Sequence, residues 1–284
     1  MAAVVLVHGI GKQYLGPQAL HGTIASAMVD GVRLAEGPPL APEDIKVAFY
    51  GDLFRKSGAK GSAGLPTDPY EAELLHAMWA EAARAEPDRV PPPPRPDERS
   101  KAPVPRTVQR ALYALSRSRF VAQTADRFLI GTLAQVRRYL TEPETRERVQ
   151  DQVAAAITED TRVLVGHSLG SVVAYEALCA HPEWPVTTFV SIGSPLGIPR
   201  LVFDRLRPTP QNGRGHWPTG VETWTNLCDP YDFVALVKEL ASLFGNGAQK
   251  VNDVPVRNGW KAHAIEHHLT ARETGAAIAA GLTG

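Results

Sequence analysis

The chain has 284 residues, 44% of them apolar, enough to bury one large core or two modest ones. Lys plus Arg number 30 and Asp plus Glu number 30, so no net charge argues for a nucleic-acid partner. The two cysteines, Cys179 and Cys228, are too few for a disulfide-built scaffold, and no apolar run reaches the roughly 18 residues of a membrane span. "MAAVVLVHGIG" has no basic stretch before its short apolar run, so no signal peptide is expected, and a soluble cytoplasmic protein is.

Short apolar runs alternate with helical patterns. "AAVVLVHG" (2–9) reads as a buried strand. Residues 17–35 read as a helix, with Leu20, Ile24, Ala27, Met28 and Val32 on one face. "IKVAFYGD" (45–52) is a second strand. Residues 148–160 are helical, "TRVLVG" (161–166) is a third strand, and 171–181 are helical. "VTTFVSIG" (186–193) and "VETWTNLC" (221–228) are further strands, and 264–281 read as a closing helix. This alternation predicts an α/β fold, a mostly parallel sheet of about six strands with helices on both faces.

The stretch 53–146 breaks the rhythm and interrupts a core made of 1–52 and 147–284. Residues 68–86 are helical, with Leu74, Leu75, Met78, Trp79 and Ala82 on one stripe. "PPPPRP" (91–96) is an extended linker. Helices are expected near 106–118 and 120–140, the latter with Val121, Ala125, Phe128, Leu129, Leu133, Val136 and Leu140 at helical spacing. A helical lid over one end of the sheet is the expectation. Residues 65–100 hold eight acids against four basic residues, whereas 101–140 hold eight basic residues against Asp126 alone. Two readings follow. The halves pair with each other, or the basic helices meet an anionic membrane or an acidic carrier.

The chemistry points to "RVLVGHSLGS" (162–171). A serine hydroxyl is a weak nucleophile that needs a base beside it and exposure above the sheet. A sharp strand-to-helix turn lifts Ser168 out, and Gly166 and Gly170 remove the side chains that would collide there. The following helix aims its N-terminus at the site. In "VVLVHGIGKQ" (4–13), a glycine-flanked loop follows a buried strand. An oxyanion needs two N–H donors, and the candidates are the amides of Ile10 and Leu169. His8 is assigned a structural role in that loop.

On these residues the chain resembles the α/β-hydrolase superfamily, and within it bacterial lipases and esterases with an HGIG-type oxyanion loop. "SIGSPLG" (191–197) and the acid and histidine segments add to the likeness. The family often has two strands ahead of this loop, which begins here at residue 8, so the sheet is expected to be minimal at that edge. The family order is serine, acid, histidine. "CDPYDFV" (228–234) offers Asp229 and Asp232, and the resemblance favours Asp232, which sits as D-x-V. "KAHAIEHHL" (261–269) offers His263, His267 and His268. His263 falls at the loop-to-helix junction, as the family histidine does, and the other two are expected on the helix surface. A His263/His267 metal pair is the alternative.

The resemblance implies a serine hydrolase of carboxylic esters, acting on a small-molecule or lipid ester with no cofactor or metal. Ser168 attacks, His263 takes the proton and Asp232 orients His263. Activity is then expected to fall on acidification, because only a neutral imidazole accepts the proton. A thioesterase or acyltransferase would use the same triad, and a binding module without catalysis would need none of it. Ser194 is expected at the pocket mouth. Trp79, Trp217, Trp224 and Trp260 are candidates for an acyl pocket, with core packing as the plainer role.

Overall fold

Val4–Val7 (β1) lies between two parallel neighbours, Ile45–Ala48 (β2) and Val163–His167 (β3), with Val4 opposite both Ile45 and Val163. Thr188–Ile192 (β4) and Thr223–Cys228 (β5) extend the sheet in the same direction. The computed structural model describes residues 2–55, 68–94, 104–119, 126–247 and 249–283; of residues 104–106, 126–130, 246 and 260 only the backbone is described. Val121, Ala125, the Phe128 and Leu129 side chains, the last two residues of the 91–96 linker and the Trp260 side chain therefore lie outside the described residues.

A two-stranded hairpin, Gly245–Asn246 (β6) with Gln249–Lys250 (β7), precedes the sixth sheet strand, Asn252–Pro255 (β8). The parallel order is β2-β1-β3-β4-β5-β8. The sequence pattern predicts about six strands but does not mark β8. Asn, Asp and Pro are poor strand formers, and Pro255 is tolerated because β8 is an edge.

Alternation along the strands splits the core in two. Val4, Leu6, Val163, Val165, Val190 and Ile192 face Pro17–Leu34 (α1) and Arg272–Thr283 (α8). Val5, Val7, Leu164 and Phe189 face the opposite layer, which includes Leu169–Ala180 (α6) and Pro143–Ala154 (α5). The helix expected at 148–160 is thus shifted: Pro143 starts it at a position where a missing N–H costs nothing. The closing helix is split into Ile265–Leu269 (α7) and α8. At the break α1 approaches closely, since a Cβ on Gly31 would lie 1.9 Å from the Leu269 carbonyl oxygen.

Between β2 and α5 the described residues hold Pro69–Ala85 (α2), Val104–Leu115 (α3) and Asp126–Thr141 (α4), and no strand. Asp68 caps α2, its side chain accepting from the Tyr70 amide. Leu74, Leu75, Met78, Trp79 and Ala82 are all buried. These helices attach to loops at the C-terminal ends of the strands. The Tyr70 hydroxyl donates to the Leu201 carbonyl after β4 at 2.8 Å. Glu81 pairs with Lys238 after β5 at 3.3 Å. Tyr139 donates to Glu176 on α6 at 2.6 Å, and Glu176 forms a buried ion pair with Arg146 of α5. Among the described residues no helix is long and apolar enough to cross a membrane.

Candidate active site

β3 runs straight into α6, and the single residue between them, Ser168, has φ 54° and ψ −130°. Side chains with a Cβ rarely adopt that backbone, and such strain gathers where function over-determines it. The surroundings fix the turn. The Ser168 amide donates to the Ile192 carbonyl at 2.9 Å, and Ser171 Oγ donates to the Ser168 carbonyl at 2.6 Å. A Cβ on Gly166 would lie 2.5 Å from Ser171 Cα and 2.8 Å from the Gly170 carbonyl oxygen. A Cβ on Gly170 would lie 2.2 Å from the Val7 carbonyl oxygen. The two glycines thus do separate jobs: Gly166 closes the elbow, and Gly170 lets α6 press on the end of β1. Ser168 Oγ is buried, 1% of the residue being exposed, and has no hydrogen-bond partner among the described residues.

The loop after β1 rests on this elbow. A Cβ on Gly9 would lie 2.8 Å from Ser168 Cβ, so glycine is what allows the contact. His8 is buried and holds the loop from below. Its Nε2 accepts from the Tyr50 amide at 3.2 Å, its Nδ1 bonds the Gly9 carbonyl at 2.6 Å, and its ring stacks on Tyr50 at 4.1 Å. Because the Tyr50 amide can only donate, the His8 proton sits on Nδ1. Burial lowers the His8 pKa to about 4. Leu169 follows Ser168 and Ile10 follows Gly9, which touches Ser168, and the amide of neither Ile10 nor Leu169 donates a hydrogen bond among the described residues. For Leu169, first residue of α6, helix geometry itself leaves the N–H free.

The acid segment separates the two candidates. Asp229 is spent on backbone, accepting from the Tyr231 amide at 2.8 Å and the Asn258 amide at 2.6 Å. Asp232 is wholly buried, and its Oδ2 lies 2.7 Å from His263 Nδ1. Its Oδ1 accepts from the Val234 amide at 2.8 Å. Burial pushes the Asp232 carboxyl up, but the His263 ring and the Val234 amide outweigh it and hold the carboxyl well below the usual range. A carboxylate only accepts, so His263 Nδ1 carries a proton, and in the neutral imidazole that leaves the lone pair on Nε2. Gly193 (φ 54°) makes room for the pair: a Cβ there would lie 2.8 Å from Asp232 Oδ2 and 3.0 Å from His263 Nδ1.

Two further histidines lie close to His263. His167, next to Ser168, donates through Nε2 to the His263 carbonyl at 3.0 Å, with ring centroids 4.8 Å apart. His268 is fully buried and donates to the Ala262 carbonyl, which corrects the helix-surface expectation; His267 is exposed as expected. Burial, and the neighbouring histidines, keep His167 well below the ordinary imidazole pKa, and burial lowers His268. Ser194 is buried next to the elbow helix, sharing a 2.7 Å hydrogen bond with Ser171 Oγ and accepting from the Leu196 amide. Trp224 and Trp217 pack with Tyr175, Phe189 and Phe244 in the core, and Trp79 donates to the Pro91 carbonyl.

The elbow, the loop after β1 and the Asp232–His263 pair therefore lie together at the C-terminal ends of the strands. Sequence reading missed His167 and Gln135 of α4, whose Oε1 accepts from the Gly11 amide at 3.3 Å. The only signal for Gln135 is a polar residue beside the apolar stripe of its helix. No family model, curated protein or solved structure matches the chain, so the functional reading rests on this geometry.

Proposed function

We propose that this protein is a serine hydrolase of carboxylic esters. The observation that carries the reading is the 2.7 Å pair of buried Asp232 with His263, together with a serine in a strained strand-to-helix turn whose Oγ is not hydrogen-bonded to His263 among the described residues. Asp232 orients the imidazole so that Nε2 is the free base. Ser168 Oγ attacks the ester carbonyl carbon while its proton passes to His263 Nε2. The carbonyl oxygen, now negative, accepts from the Ile10 and Leu169 amides. Collapse expels the alcohol, which leaves with the proton held by His263. Water then attacks the acyl-serine, gives its proton to His263, and the acid departs as Ser168 regains its hydrogen. Every proton in this cycle is held by a residue of the chain, so the cycle calls for no cofactor.

Ser168 is 1% exposed, so an ester reaches it only when the surrounding cover yields. The insertion, attached to loops at the same sheet edge, is the lid in this reading. Arg119 pairs with Glu86, and Arg137 and Arg138 pair with Glu71 and Glu142. Their use within the insertion favours a lid closed on itself over one that grips an anionic membrane. The test is turnover of p-nitrophenyl butyrate. Ser168→Ala should lower it by at least about 10³-fold with an unchanged far-UV spectrum, because triad members act as a unit. Retention of a tenth of wild-type turnover would overturn the assignment.

A further inference from the structure

We infer that Gln135 is a positioning residue of the oxyanion loop, so that the insertion helix α4 completes the catalytic site as well as covering it. The inference rests on the hydrolase reading and deepens it. Gln135 is buried, 6% exposed, and its Oε1 reaches the Gly11 amide across the gap between α4 and the loop after β1. Gly11 has φ 80°, a conformation that glycine holds at little cost and does not hold by itself. An acceptor on Gly11 N–H selects that conformation. It fixes the peptide that follows Ile10, while Gly9 against Ser168 fixes the peptide that precedes it. Between the two anchors the Ile10 N–H keeps one orientation.

The helix that carries Gln135 is braced within one turn. Arg137 bonds Glu71 at 2.9 Å and Glu142 at 3.3 Å, and lies 3.6 Å from Asp68. Arg138 bonds Glu142 at 3.0 Å. Tyr139 bonds Glu176, which lies on the elbow helix itself. Gln135 therefore stands on a support referenced to the same helix that begins at Leu169. Both proposed oxyanion donors are thus set from α6, one directly and one through α4. An oxyanion donor must meet charge that exists only in the transition state, so its misplacement lowers kcat more than it raises KM.

Gln135→Met keeps the side-chain length and removes the acceptor; Gln135→Glu keeps an acceptor oxygen. The full chain is assayed with p-nitrophenyl butyrate, with phenylboronic acid as a tetrahedral mimic, and by amide hydrogen exchange at Gly11. Gln135→Met is expected to lower kcat about tenfold or more with KM within about twofold, and to weaken boronate binding in parallel. Exchange at Gly11 should quicken, and Gln135→Glu should recover most of the rate. If Gln135→Met does not fold, Gln135→Asn, whose amide falls one methylene short, should show the same losses. Unchanged kcat and boronate affinity in a folded variant would overturn the inference. If the wild type hydrolyses no ester and binds no boronate, the hydrolase reading fails separately. Gly11 exchange then decides the bracing contact alone, and an unchanged rate in Gln135→Met overturns it.

Discussion

Ser168 and Gln135 stand on opposite sides of one loop, and the regions that carry them are held by different forces. Around Ser168 the structure is backbone against backbone. Gly166 and Gly170 allow contacts that a single methyl group would forbid, and β1, β3 and β4 are buried throughout. Around Gln135 the structure is held by charged and polar side chains: Arg137 with Glu71, Arg138 with Glu142, and Tyr139 and Arg146 with Glu176. Steric fit is all or none, whereas polar ties weaken with salt, pH and single substitutions. On the proposed reading, a site assembled from both would have a fixed nucleophile and an adjustable surround.

The largest expected effect lies on the fixed side. Asp232→Asn should cost about 10⁴ in kcat, because an amide no longer selects the tautomer with Nε2 free. Asp229→Asn should leave kcat within about tenfold and act on stability instead, since Asp229 caps the Tyr231 and Asn258 amides. The ratio of the two rates is the measurement, and a reversed ranking would move the acid role to Asp229.

Next comes the polar tie between the two regions. Glu176→Ala strips the partner from Arg146, whose side chain is 5% exposed, and should cost about 3–5 kcal/mol in urea unfolding. Replacing the half-buried Glu142, whose side chain is 38% exposed, should cost under about 1 kcal/mol. Equal costs would mean that the insertion does not depend on its link to α6.

Acid should weaken the fixed side through its buried histidines. His8, His167 and His268 have folded pKa values below the ordinary 6.5, with His8 at about 4. Between those values the unfolded chain binds protons that the folded chain does not, so stability rises with pH across the window and is fully present above it. His8 alone accounts for on the order of 3 kcal/mol between pH 6.5 and about 4. Asp232 acts lower: held below 3.8, it loses its contribution only as pH falls through its folded value. Thermal unfolding from pH 8 to 4 should show a decline that begins near 6.5, and His8→Asn should make that decline shallower. A flat midpoint would contradict buried neutral histidines.

How much of this was legible in the sequence follows the same division. Apolar runs with period two or near-continuous burial declared β1 to β5, and the glycines around Ser168 declared the elbow, because steric demands are local and leave few residue choices. β8 escaped because "NDVP" carries no apolar pattern; its place is set by pairing with β5. The split between α7 and α8 escaped because it answers to Gly31, far away in the chain. Asp229 and Asp232 look alike as residues; the D-x-V resemblance favours Asp232, and in the structure the position of His263 separates them. His268 read as surface because an adjacent pair on a helix gives no sign of which ring turns inward. The ties of Gln135 and Glu176 span more than a hundred and some thirty residues, and single polar side chains leave no periodic trace.

The most direct test of the central claim is covalent labelling with a fluorophosphonate, followed by mapping of the modified peptide by mass spectrometry. A hydroxyl activated by His263 should take the phosphonyl group at Ser168, with one label per chain, and His263→Ala should slow labelling by at least about 10²-fold. A label at another serine, or none at all on folded protein with the insertion loosened by mild urea, would contradict it.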